Sequence, residues 1–242
     1  MTDSGTLLLL HGGDPRVGVV AHRLRRLGYR SVGAKSPEEA FRLGGERQLR
    51  FRAILVPASL PAADLSSALE EMRARLADGP LGCLAVGPRP EPEIRRQLRA
   101  AGVDLAAFEP CEDSTLRFQL NRAMAGPVQD VERIETRVPT DLSARVQAAG
   151  RSKSAMVRTL SATGAFLETL RPSLPGVSVR LELSLPPQTV QAAGQVVYAN
   201  VPGNLMRRGL PTGMAVRFTE LSENAERAIR HCVAERALTL VV

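Results

Sequence analysis

Tryptophan is absent from this 242-residue chain, and aromatic residues make up only 3% of it. Single-stranded nucleic acids are held by stacking bases on such rings, so a stacking platform is not expected here. Cysteine is nearly as scarce, and Cys83, Cys111 and Cys232 lie far apart. Widely spaced thiols make neither a disulfide framework nor a zinc site; they fit a reducing cytoplasm. Histidine is rare too, and His11 and His22 have no ligand partners at metal spacing. Long apolar runs are missing. The opening segment MTDSGTLLLLHGGD has four leucines in a row and no basic stretch before them. Neither a signal peptide nor membrane insertion is expected from it.

Positive charge is what the chain has in plenty: the net charge is +7 and the isoelectric point is near 10.3. The excess is shared between both halves and forms no basic block. A surface that tracks phosphates needs clustering, so no nucleic-acid polymer is expected as a partner. Hydrophobic residues at 44% and charged residues at 24% suit a soluble protein of one or two domains, each able to bury a core.

Residues 1–126 alternate short apolar runs with helical periodicity. Strands are expected at Thr6–Leu10, Tyr29–Ala34, Phe51–Pro57, Leu84–Val86 and Val103–Phe108. Between and after them, helices are marked by Val17, Val20, Leu24 and Leu27, by Ser36-Pro37-Glu38-Glu39 as a capped start, by Leu65, Leu69, Met72 and Leu76, by Ile94–Ala101, and by Leu116–Met124. Five such pairs predict an α/β, doubly wound parallel five-stranded sheet.

A polar linker at 127–131 begins with Pro127, and the periodicity then changes from helical to alternating. Leu142, Ala144 and Val146 read as a half-buried strand, Ala155–Leu160 as a second, and Val177 to Leu185 as the sharpest alternation. Pro186-Pro187 ends that run, Thr189–Ala199 continues with Gly194 as a bend, and Met214, Val216 and Phe218 alternate again. Short strands with turn signals predict an all-β antiparallel barrel over 132–242. Ser222 caps a closing helix whose Ala225, Ile229, Cys232 and Val233 share one face.

The most informative stretch is ERIETRVPTDLSARV followed by AMVRTLSATGAF. Arg133 and Arg137 stand four apart just before Val138-Pro139, which keeps the chain extended. Thr159-Leu-Ser161-Ala-Thr-Gly164 ends the second strand in a tight turn, with glycine where a side chain would crowd. A guanidinium pair facing such a turn suits a planar, anionic ligand, because it can stack on a base, fork onto guanine or pair with phosphate. The same arginine spacing recurs at Arg26/Arg30 and Arg95/Arg99, on or beside expected helices, where a solvated face explains it.

Residues 132–242 resemble the PilZ domain, a bacterial module that binds cyclic di-GMP, whose signature is RxxxR followed by (D/N)xSxxG. Arg133, Arg137, Ser161 and Gly164 match, and Thr159 stands where the family has Asp or Asn. The resemblance implies a six-stranded barrel with a C-terminal helix, and a nucleotide held by Arg133, Arg137, Thr159, Ser161 and Gly164. Residues 1–126 look like a receiver domain of response regulators that lacks its chemistry. His11-Gly12-Gly13 replaces the acidic residues that hold Mg²⁺, and Asp14 comes one step late. Pro57 stands for the phosphoacceptor aspartate, Gly87 for the hydroxyl residue, and Glu109-Pro110 for Lys-Pro. This half is therefore expected to be a pseudo-receiver that accepts no phosphoryl group.

No nucleophile–base pair, carboxylate dyad or metal cluster stands out, so no catalytic residue and no metal is expected. The leading reading is a cytoplasmic, non-enzymatic signalling adaptor that binds cyclic di-GMP and acts on a protein partner in motility, adhesion or polarity. The alternative is a scaffold that binds no cyclic di-GMP and works by protein–protein contact alone; Thr159 motivates it, since one hydroxyl offers fewer acceptors than a carboxylate.

Overall fold

The computed structural model describes residues 6–60, 65–125, 136–201 and 210–242. The chain forms two compact units, Met1–Gln129 together with Thr239–Val242, and Asp130–Leu238. The expected linker at 127–131 lies outside the described residues, as do Arg133 and most of the loop before Gly213.

In the first unit, β1 (Thr6–Leu10), α1 (Val17–Arg26), β2 (Ser31–Ala34), α2 (Pro37–Glu46), β3 (Phe51–Pro57), α3 (Leu65–Leu76), β4 (Gly82–Pro88), α4 (Pro92–Ala100), β5 (Leu105–Glu109) and α5 (Asp113–Ala125) follow one another. The sheet order is β2-β1-β3-β4-β5 and every pairing is parallel. The three central strands are apolar at nearly every position because a parallel sheet is covered on both faces. Leu8, Ile54, Val56 and Ala85 pack with Leu43, Leu69, Met72 and Leu98 of α2, α3 and α4. Leu7, Leu55 and Leu84, on the other face, pack with Leu24, Leu116 and Leu120 of α1 and α5.

The capped start of α2 is as the sequence predicts: Ser36 Oγ accepts from Glu39 N–H, and Glu39 reaches back to Lys35 N–H at 2.7 Å. Two strands begin later than expected, at Ser31 and Leu105. Gly28 and Gly102 adopt φ of +88° and +84°, and the amides that follow turn back, Tyr29 N–H to Leu24 O and Val103 N–H to Leu98 O. These are Schellman closures of α1 and α4. Tyr29 and Val103 are apolar because they seal helix ends, not because they extend a strand. Burial raises the Tyr29 hydroxyl to about 12, and it donates to Asn121 Oδ1 at 3.0 Å.

The second unit is a closed barrel of β6 (Val138–Ala148), β7 (Arg151–Ser161), β8 (Gly164–Glu168), β9 (Ser178–Leu185), β10 (Gln188–Asn200) and β11 (Gly213–Leu221), in the order β10-β11-β8-β7-β6-β9. All its pairings are antiparallel. Alternation drives one face of each strand inward: Leu142, Ala144 and Val146 meet Leu181, Leu183, Val196 and Val216 in the core. The expected bend at Gly194 is a register shift in the β10–β11 pairing. The second strand, expected at Ala155–Leu160, begins earlier, at Arg151, and between β6 and β7 only Ala149 and Gly150 turn, both at positive φ. α6 (Glu223–Ala237) begins with Ser222 Oγ accepting from Ala225 N–H at 3.2 Å, and it buries Ala225, Ile229 and Val233. Cys232 flanks that face and is only half-buried.

Candidate functional site

In a parallel sheet of this order, ligands sit beyond the carboxyl ends of the strands, where the winding reverses between β1 and β3. A cleft lies there, lined by His11, Asp14, Arg16, Pro57, Gly87 and Glu109. The departures from receiver chemistry noted in the sequence therefore converge on one place. Arg16 was not among them, and it lines the same cleft. Its Nε and Nη2 donate to the two oxygens of Asp14 at 3.0 and 2.6 Å, and its backbone N–H donates to Oδ1 at 2.8 Å. Ser59 Oγ donates to Asp14 Oδ2 at 3.3 Å. Hydrogen bonds from the Arg16 side chain and then its backbone hold the Asp14 carboxyl at about 2, far below its ordinary value. The Arg16 guanidinium also lies 3.6 Å from the point where a side chain on Gly87 would begin. Cation and carboxylate thus neutralise each other, and Pro57 at the end of β3 has no atom that accepts a phosphoryl group.

Among the described residues no group of histidine, cysteine and acidic side chains could hold a metal ion. His11 Nδ1 accepts from Gly13 N–H at 3.2 Å, and His22 is exposed on α1. Cys83 is buried and its thiol is pushed up to about 12 by that burial, which makes it inert.

In the barrel, four of the five residues suggested by the arginine–turn pattern are described, and they come together at one end. Arg137 is exposed immediately before β6, whose first residue Val138 pairs with Leu160 of β7. Thr159 lies across from Pro139 on one side and Phe166 on the other. Ser161 is buried, and its hydroxyl donates to the Gly164 carbonyl at 3.2 Å. Gly164 opens β8 under β11, and a Cβ there would fall 2.4 Å from Val216 O. Glycine is thus required by the closeness of β11, which the sequence suggested only as crowding. Arg133 lies outside the described residues.

Two features near these residues were not singled out from sequence. Arg217 of β11 is exposed and pairs with Gly164, adding a cation at the same end. Arg158, next to Thr159, donates to Asp141 of β6 and Glu168 of β8. Burial opposes the charge on Arg158, but Glu168 and Asp141 outweigh it and raise its pKa. This triad fastens three adjacent strands beside Thr159 and commits the Arg158 guanidinium to protein carboxylates. Arg217 reaches this end through the pairing of β11 with β8, and the triad forms across the consecutive hairpins β6–β7 and β7–β8, so no local motif announces either.

The arrangement offers one exposed guanidinium at Arg137, just before the first barrel strand, and another at Arg217, beside the turn that ends at Gly164. The family model described as PilZ domain matches residues 132–235, and the second unit is a PilZ domain. Among solved structures, the chain is similar to the inhibitor of motility MotI/DgrA of Bacillus subtilis, at 18% identity over 44% of this chain and 52% of that one, with a TM-score of 0.38. That match spans about half of the Bacillus protein. The PilZ domain of YcgR from Escherichia coli, solved with c-di-GMP, is similar at 16% identity over 44% of this chain and 92% of that one, with a TM-score of 0.35. The receiver domain of a sensor histidine kinase from Pseudomonas aeruginosa is similar at 25% identity over 51% of this chain and 100% of that one, with a TM-score of 0.42. No curated protein matches the chain.

Proposed function

We propose that the chain is an adaptor in cyclic di-GMP signalling whose barrel binds the nucleotide and whose receiver-like unit serves as a protein-docking module. The observation that carries this reading is the PilZ match over 132–235, with Arg137, Thr159, Ser161 and Gly164 at one barrel end. Arg133 and Arg137 would close over the nucleotide, with the Ser161–Gly164 turn supplying the opposite wall and Arg217 adding positive charge against phosphate. The arginine-bearing segment would fold over the ligand, which is how the signal would reach a protein partner in motility, adhesion or polarity. No helix among the described residues is long and apolar enough to cross a membrane. Calorimetric titration of the purified chain with cyclic di-GMP tests the reading: saturable binding that Arg133→Ala with Arg137→Ala abolishes is expected.

A second reading is supported by Thr159 and by the Ser161 hydroxyl already given to Gly164. In it the barrel is a scaffold that takes no nucleotide. Loss of a hydrogen bond worth about 1–3 kcal/mol weakens binding by roughly 5- to 150-fold. If the site is merely weakened, Thr159→Asp raises cyclic di-GMP affinity by about an order of magnitude or more, because a carboxylate restores charged acceptors. A folded Thr159→Asp chain that, like its parent, ignores high-micromolar nucleotide would establish the scaffold.

A further inference from the structure

The edge of the parallel sheet is not left open. Val241 bridges Leu105 of β5 in antiparallel sense, Ala106 N–H donates to Leu240 O at 3.3 Å, and Val242 N–H donates to Asp104 O at 3.4 Å. The side chains alternate as in a strand: Leu240 and Val242 are 3% and 2% exposed, and Val241 between them is 43% exposed. Val242 lies in the same core cluster as Leu98, Ala101 and Val103. Two polar side chains then read the backbone of this short strand. Gln119 of α5, wholly buried, gives one amide hydrogen to Ala106 O at 2.7 Å and the other to Leu240 O. Arg99 of α4 donates to Val242 O.

A buried amide in a helix interior is costly unless both its donors are met. Here one donor is met by β5 and the other only by residue 240. An apolar socket, a blank position, a second apolar socket and two side-chain donors aimed at backbone carbonyls make the recognition pattern of strand addition. We propose that the β5 edge is a binding site for an extended apolar–any–apolar segment, and that its occupant is the chain's own Leu240–Val242, docked reversibly. Reversibility follows from size. Burying two side chains offsets the entropy of ordering four residues only narrowly, and Leu238, which leads into the segment, is 75% exposed. When the segment leaves, β5 is uncovered as an edge that pairs with another extended chain.

The test uses full-length protein. Leu240→Asp with Val242→Asp displaces the chain's own segment and vacates the edge. A fluorescein-labelled peptide of residues 236–242 should bind this variant in an anisotropy titration and fail to bind the parent, whose edge is occupied. Adding Arg99→Ala to the variant should weaken the peptide at least tenfold. Native-state hydrogen exchange of the parent provides the second readout: the amides of Val242 and Ala106 should be protected, yet open far more often than those of β1 and β3. A folded variant that binds no peptide at millimolar concentration overturns the proposal. If the variant does not fold, exchange of the parent decides. Protection at Val242 equal to that of β1 would make the segment a fixed part of the core, and none at all would mean it is not docked; either result overturns the proposal.

Discussion

The Asp14–Arg16 pair shows how a single residue changes what a cleft can do. Arg16 is 40% exposed on its side chain and Asp14 only 11%, so the arginine screens the carboxylate from solvent while staying partly hydrated. Because the folded carboxyl titrates at about 2 instead of 3.8, its contribution to stability is fully present above pH 4. It fades as the solution is acidified toward 2, where the folded state must take up the proton. Arg16→Ala should return the Asp14 titration toward its ordinary value, measurable by carbon-detected NMR, and should flatten the acid limb of the unfolding curve. The loss at neutral pH should be small, under about 1 kcal/mol, as for other part-exposed ion pairs.

Gly164 lies at the opposite extreme, since its role is to carry nothing. With Val216 O 2.4 Å from any Cβ, Gly164→Ala has to push β8 off β11. Overpacking of this kind costs about 1–3 kcal/mol, so a fall in the barrel's thermal midpoint of several degrees is expected by calorimetry. The glycine was visible in the sequence as part of a motif. What it makes room for was not, because β11 lies some fifty residues further along the chain.

Among the elements, the hairpin of β6 and β7 is the least well served by its sequence. Ala148 pairs with Arg151, so the loop has two residues, and Ala149 and Gly150 adopt φ of +48° and +74°. That is the type I′ geometry that favours Asn-Gly. Alanine in a left-handed conformation carries a penalty of about 1–2 kcal/mol that asparagine largely avoids. Ala149→Asn should therefore stabilise the barrel by about 0.5–1 kcal/mol in denaturant unfolding. The helices and central strands were legible in sequence because each carries its own periodicity and caps. The start of β7 at Arg151 was missed, with Ala155 expected instead, because Arg151, Ser152 and Ser154 are polar and exposed, and an exposed strand end looks like a loop when only composition speaks.

At the scale of the molecule, the change from helical to alternating periodicity announces an α/β unit followed by a β-barrel, the two folds observed. The chemistry of each unit was less evenly legible. Four strand-end positions depart from the receiver pattern, and they converge in the cleft, but Arg16 lay outside any motif. Acetyl phosphate with Mg²⁺ should leave the intact chain unmodified by mass spectrometry; an acid-labile phosphoryl adduct on a strand-end loop would contradict the geometry of Pro57. The return of Thr239–Val242 to β5 had no sequence signal at all, because three apolar residues after a helix have no period to measure.

That return has a consequence in time as well as in space. A ribosome releases the whole of α5 long before it reaches Leu240, with residues 130–238 still to be made. At about 5–20 residues per second, the interval is roughly 5–20 s. Throughout it the nascent sheet has every strand it needs except the one that seals its margin, and Gln119 is a donor without its second acceptor. Each newly made chain therefore passes through a window in which β5 is available to whatever extended segment is nearby, including the same margin on a neighbouring chain of one polysome.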